Sequence, residues 1–130
     1  MTGQKIASIC EQLDSSPTPR HLVDFISRQL LKAKFVDFTG KSINRSSSGF
    51  VVNAGSIVAW RTGTKTAENG FRIVGAHTDS PCLRIKQNPD DKKFGFNTLS
   101  VEIYGSPLLN SWLDRDLGIA GHVVTRSGET

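Results

Sequence analysis

The sequence predicts an α/β fold on three observations. An apolar stripe at helical spacing follows Pro19, and from Phe35 onward the texture changes to short strands and turns. A short apolar run, Phe71 to Ala76, then leads directly into His77-Thr78-Asp79-Ser80-Pro81. Helices combined with strands in this way bury a sheet beneath helices. The 130 residues are enough for one ordinary domain with a real core, and 37% hydrophobic against 22% charged residues is a globular balance.

Ile6, Ile9, Cys10 and Leu13 repeat at helical steps and predict a short amphipathic helix. Ser15-Ser16-Pro17-Thr18-Pro19 interrupts it. Thr18 suits an N-cap and Pro19 a first helical position, because proline lacks only an N–H that the first turn leaves unpaired anyway. Leu22, Phe25, Ile26, Leu30 and Ala33 carry the second helix. Gly49 to Val52 and Ser56 to Arg61 read as strands joined through Asn53-Ala54-Gly55, a hairpin. Ser46-Ser47-Ser48 reads as a polar turn and Thr62 to Gly70 as a loop.

Phe71 to Ala76 is expected to be a buried strand. Leu83 to Lys86 and Thr98 to Tyr104 are expected to be further strands, with Asn88-Pro89-Asp90-Asp91 turning between them. Leu117 to Arg126 is expected to be a last strand. No repeat is present, and no second long helix follows to cover the sheet, which is the pattern of a truncated α/β domain.

The formal net charge of +4 raises nucleic-acid binding, yet the basic residues are scattered from Lys5 to Arg126 and only Lys92-Lys93 are adjacent. A phosphate-tracking surface clusters its cations, so the excess is expected to be solvated surface, with no nucleic-acid partner. Cys10 and Cys82 form no CxxC pair and are expected to be reduced thiols. No apolar run follows Lys5 as a signal-peptide core would, and none approaches the roughly 18–20 residues of a membrane span. A cytoplasmic protein without membrane attachment is the expectation.

His77-x-Asp79 is the strongest local chemical signal. Neutral imidazole is a common zinc ligand, and its second ring nitrogen needs an acceptor to fix tautomer and orientation. A carboxylate two residues on can meet that need, and sheets of this class bind ligands beyond the carboxyl ends of their strands. The pattern is short and arises often by chance, and a tetrahedral site needs more ligands. His21, in a first helical turn, and His122, in an expected strand, are weaker candidates. Trp112-Leu113-Asp114-Arg115-Asp116 reads by itself as a salt-bridge cluster, with an interface element, or a contribution of Asp114 and Asp116 to a metal site with His77, as the alternatives. No P-loop, G-x-G-x-x-G, G-x-S-x-G or H-E-x-x-H occurs.

Longer segments carry a resemblance. Asn69-Gly70-Phe71, Ile73 to Arg84 (IVGAHTDSPCLR), Val101-Glu102-Ile103-Tyr104-Gly105, Trp112 to Leu117 (WLDRDL) and Ala120-Gly121 together resemble the aspartyl aminopeptidases of the di-zinc exopeptidase group. Ser16-Pro17-Thr18-Pro19-Arg20-His21 is similar to that family's Ser-Pro-x-Pro-x-His segment, with Arg20 where an aromatic residue is usual. The similarity is weakest around Phe35 to Asn53, where Thr39 to Ser48 is shorter and more serine-rich than the family pattern.

The resemblance implies a zinc-dependent aminopeptidase that removes amino-terminal Asp or Glu from peptides and assembles as a homo-oligomer. It implies two zinc ions per subunit, with His77 as a ligand of one and Asp79 as support for that histidine. The bridging Asp, the Glu pair and the final His would lie in later segments of proteins about three times as long. The implied architecture is the amino-terminal part of a di-zinc exopeptidase core with a mixed sheet, residues 1–82, followed by the start of a β-rich inserted dimerisation or lid domain, residues 83–130. Asp114 and Asp116 would then fall in the insertion. A fragment with one ligand is expected to be inactive alone. The alternatives are another metal-dependent exopeptidase or amidase on the same core, or a non-catalytic assembly module if the gene ends at Thr130.

Overall fold

A computed structural model describes residues 2–44, 48–63 and 70–128. Asn69 of the resemblance, Ser46 and Ser47 of the expected turn, and residues 64–69 of the expected loop lie outside these. The chain divides into two compact units, one formed by Met1–Thr78 with Ala120–Thr130, the other by Asp79–Ile119.

The first unit is α/β with a mixed sheet. Helix α1 (Thr2–Asp14) forms where the stripe predicts it, but Ile6, Ile9 and Leu13 remain more than half exposed. Helix α2 (Pro19–Lys32) begins as its sequence dictates, with extended Thr18 as N-cap and Pro19 in the first turn. It ends in a tight cap: Lys34 takes φ 66°, its N–H bonds to the Leu31 carbonyl, and the Phe35 N–H reaches back to Leu30.

Beyond the cap, β1 (Val36–Asp37) runs parallel to β2 (Ser48–Asn53), which pairs antiparallel with β3 (Ser56–Arg61). The sheet order is β1-β2-β3, and α2 packs on all three strands. Val23, Phe38 and Phe50 form the buried core, and Phe38 stacks on Trp60 with centroids 5.6 Å apart. Val23 is the most buried residue of α2, although it stands outside the stripe read from sequence. A stripe is inferred from periodicity, whereas the helix rotates to fit the sheet it covers.

The two-residue turn between β2 and β3 is tightly seated. Ala54 has φ 52°. At Gly55 an added Cβ would lie 2.7 Å from the Pro19 side chain, so only glycine lets the turn approach the start of α2 so closely.

The second unit is a hairpin. Strand β4 (Cys82–Lys93) pairs with β5 (Phe96–Tyr104). The expected turn at Asn88-Pro89-Asp90-Asp91 is instead part of β4. The register jumps between Ile85 and Asp90, and this bulge accommodates Pro89, which has no N–H for the ladder. The actual turn is Phe94-Gly95, with φ 53° and 83°, the double positive φ that a tight hairpin requires. A short 3₁₀ turn (Leu109–Ser111) follows.

Two expected strands are not formed. Phe71 to Ala76 and Leu117 to Arg126 carry no strand pairing among the described residues, and Phe71, Ile73 and Val74 are 86–97% exposed. An apolar run becomes a strand only when a second backbone satisfies its N–H and C=O groups. The salt-bridge reading of 112–116 is also not met, since Asp114, Arg115 and Asp116 are exposed and form no ion pair among the described residues.

Candidate functional site

Thr78 and Asp79 are each anchored within their own unit. The Thr78 hydroxyl donates to the Gly55 carbonyl at 2.7 Å, tying the end of the extended run to the β2–β3 turn. That turn is itself seated on Pro19. Within the second unit, the Tyr104 hydroxyl donates to Oδ2 of Asp79. Tyr104 closes β5, and Gly105 after it takes φ 76° while its Cα faces Pro81, where an added Cβ would meet three atoms at 3.2–3.3 Å. The start and end of the hairpin are therefore pinned at the level of Asp79.

The Arg84 guanidinium lies 3.7 Å over the Tyr104 ring, a cation–π contact across the strand pair. Hydrogen bonding to the Asp79 carboxylate, and that group's negative charge, push the Tyr104 hydroxyl above its ordinary pKa, so it stays protonated and remains a donor. Asp79 is half-buried and His77 exposed. Thr78, Tyr104 and Arg84 were not singled out from the sequence as functional. Tyr104 could have been, as a polar aromatic residue closing a strand otherwise rich in Val, Ile and Leu.

The weaker histidines meet elsewhere. His21 Nδ1 lies 2.7 Å from the Thr18 hydroxyl in the first turn of α2. Arg20, His21 and Asp24 share a shallow depression with Gly121, His122 and Val123, so His122 belongs to an exposed irregular segment and not to a strand. Cys10 and Cys82 are free thiols, the first exposed.

Comparison with known proteins decides the family. The profile of the aminopeptidase I zinc metalloproteases (M18) matches residues 12–130. The chain belongs to the M18 family. A probable M18 family aminopeptidase 2 of Streptomyces coelicolor is 48% identical over 121 residues, covering 91% of this chain and 28% of the relative. Its counterpart in Mycobacterium leprae is 44% identical over 124 residues, covering 93% and 29%. This M18 chain thus spans less than a third of the length of the curated relatives it matches. Among solved structures, a cryo-EM structure of the Ape4 and Nbr1 complex aligns with TM-score 0.74 and 34% identity over 82% of this chain and 22% of that one. The crystal structure of aminopeptidase I from Borrelia burgdorferi aligns with TM-score 0.72 at 19% identity over 87% and 30%, a likeness of fold.

A zinc metalloprotease family implies a zinc site. Zinc takes about four nitrogen, sulfur or oxygen ligands, and among the described residues no group of three or more His, Cys, Asp or Glu side chains comes together. The donor chemistry of His77 fits one ligand of such a site. A complete site needs more ligands than the described residues bring together. No described helix is long and apolar enough to cross a membrane.

Proposed function

We propose that this M18 chain supplies the amino-terminal portion of a zinc-dependent aminopeptidase, in which His77 ligates one of two zinc ions and Asp79 supports that imidazole. Residues 1–82 are then the first part of the catalytic domain, and residues 83–130 the beginning of the inserted dimerisation or lid domain. The observation that carries the reading is that the residues next to His77 are tied down, Thr78 to Gly55 within the first unit and Asp79 to Tyr104 within the second. A metal ligand must be held within a narrow geometry by its surroundings, and a solvated loop has no need of such anchors.

In this reading each residue has a definite task. His77 donates a ring-nitrogen lone pair, and Asp79 accepts the N–H of the other ring nitrogen, which fixes the tautomer and makes the ring a better donor. Thr78 holds the backbone between them. Bound zinc supplies Lewis acidity toward a peptide carbonyl.

The substrates are peptides with an amino-terminal Asp or Glu, and the complete enzyme is a cytoplasmic homo-oligomer. The substrate preference and the assembly rest on the resemblance of the segments around His77 and Trp112, and the cytoplasmic location on Cys10 and Cys82 being free thiols. Support for assembly comes from β4–β5, where Ile85, Leu99, Val101 and Ile103 share one face and are 39–56% exposed. The 130-residue chain alone is inactive, because one imidazole cannot hold catalytic zinc.

The test uses the full-length protein. His77→Ala should lower zinc content per subunit and reduce hydrolysis of an Asp-linked chromogenic substrate by at least about a hundredfold. Undiminished zinc in that variant refutes the ligand role. Equal turnover of Asp-, Leu- and Ala-linked substrates by the unaltered enzyme refutes the acidic preference.

A further inference from the structure

We propose that Tyr104 is a positioning residue for the zinc-facing turn, its hydroxyl holding the Asp79 carboxylate in the rotamer that orients His77. Arg84 acts behind it by pinning the aromatic ring. The inference rests on the reading of His77 as a zinc ligand and goes beyond it, to residues that touch neither metal nor substrate.

Three observations converge on Tyr104. Its hydroxyl bonds to Oδ2 of Asp79, a contact spanning 25 residues of sequence, so the hairpin must be formed before the bond can exist. Its backbone sits where the hairpin is most constrained, paired with Cys82 and followed by Gly105, whose positive φ and close approach to Pro81 leave little room to shift. Its ring is covered by the Arg84 guanidinium, which restricts the rotation that would swing the hydroxyl away. An ionised carboxylate offers about four acceptor sites, so a bond from the phenol still allows the same group to receive an imidazole N–H. Asp79 stands two residues after His77, and a fixed carboxylate at that spacing limits the orientations open to the ring.

A purely structural role, in which the Tyr104–Asp79 bond merely closes the hairpin, makes different predictions. The distinguishing measurement is zinc affinity of the full-length protein, by competition with a chromophoric chelator, beside the unfolding temperature of the metal-free form. Tyr104→Phe keeps the ring beneath Arg84 and removes only the hydroxyl. It should weaken zinc binding about tenfold, the low end for partners outside the ligand shell, with the metal-free unfolding temperature unchanged. In an Asp79→Ala background the same substitution should change zinc affinity less than about twofold, because the route from hydroxyl to histidine is already cut.

Zinc affinity unaltered by Tyr104→Phe overturns the proposal. So does an equal loss in the Asp79→Ala background, which would show that Tyr104 acts through the fold. If Tyr104→Phe does not accumulate as folded protein, Arg84→Met carries the same test, with an expected loss of about threefold and no loss as the refuting result. His77→Ala separates the ligand role from the positioning role. If that variant keeps its zinc, the ligand assignment fails; if it loses zinc while Tyr104→Phe does not, only the positioning role fails.

Discussion

Two hairpins among the described residues turn in the same way and are stabilised differently. β2–β3 and β4–β5 each turn through two residues ending in glycine, Ala54-Gly55 and Phe94-Gly95, with positive φ at the first. The first hairpin lies under α2 and beside β1, and it contributes Phe50, 1% exposed, to the core. The second leaves Ile85, Leu99, Val101 and Ile103 in solvent and contributes no buried side chain. Turn chemistry therefore makes a hairpin, while burial decides whether it is part of the core or an exposed surface.

The comparison can be broken most forcefully at Phe50. Phe50→Ala should destabilise the first unit by about 3–5 kcal/mol, through lost burial and the cavity left behind. Val101→Ala on the bare hairpin should cost less than about 1 kcal/mol. Urea unfolding of both variants measures the contrast, and similar losses would deny it. Next in size is Gly55→Ala, which forces a methyl against Pro19 and should cost about 1–3 kcal/mol in the same assay.

Smaller changes sharpen the comparison at the turns. Phe94→Asn suits a turn with φ positive at both central residues and removes a ring that is 98% exposed. A gain of about 0.5–1 kcal/mol is expected in thermal unfolding. Ala54→Gly should gain less, about 0.5 kcal/mol, because relief of the strained φ is offset by glycine's greater unfolded-state freedom.

The smallest effect concerns acid. Hydrogen bonds from Thr39, including its N–H to Asp37 Oδ1 at 2.8 Å, hold the Asp37 carboxyl below the ordinary value of about 3.9. A lowered folded-state pKa contributes stability that is complete above the unfolded value and disappears as pH falls through the folded one. Asp37→Asn should therefore flatten the acid limb below about pH 4, and by less than about 1 kcal/mol because solvent screens this group. An unchanged acid limb contradicts the assignment.

Much of the first unit was legible in the sequence, for local reasons. Thr18 and Pro19 start α2 by satisfying or omitting N–H groups within one turn, and the β-rich runs Gly49–Val52 and Ser56–Arg61 pair across the Asn53-Ala54-Gly55 turn with only short-range closure. The failures were non-local. Asn88-Pro89-Asp90-Asp91 has turn composition, yet the cross-strand register absorbs it as a bulge and moves the reversal to Phe94-Gly95, where only the glycine was a signal. Phe71 to Ala76 has strand composition but no partner backbone among the described residues. At the site, His77 and Asp79 stood out because imidazole and carboxylate chemistry is written in residue type and spacing. Tyr104 and Thr78 did not, since their partners lie 25 and 23 residues away.

The sequence by itself determined the α/β class, both helices, the first hairpin and, through long motifs such as GAHTDSPCLR, the resemblance that the M18 match bears out. These depend on neighbours within a few residues or on runs too long to recur by chance. Only the tertiary structure decided that Val23 and Phe50 are both buried, that the second turn sits at Phe94-Gly95, that Thr78 bonds to Gly55 and that Tyr104 bonds to Asp79. Each joins groups distant in the chain, and such contacts form only where folding has already met the entropic cost of bringing them together.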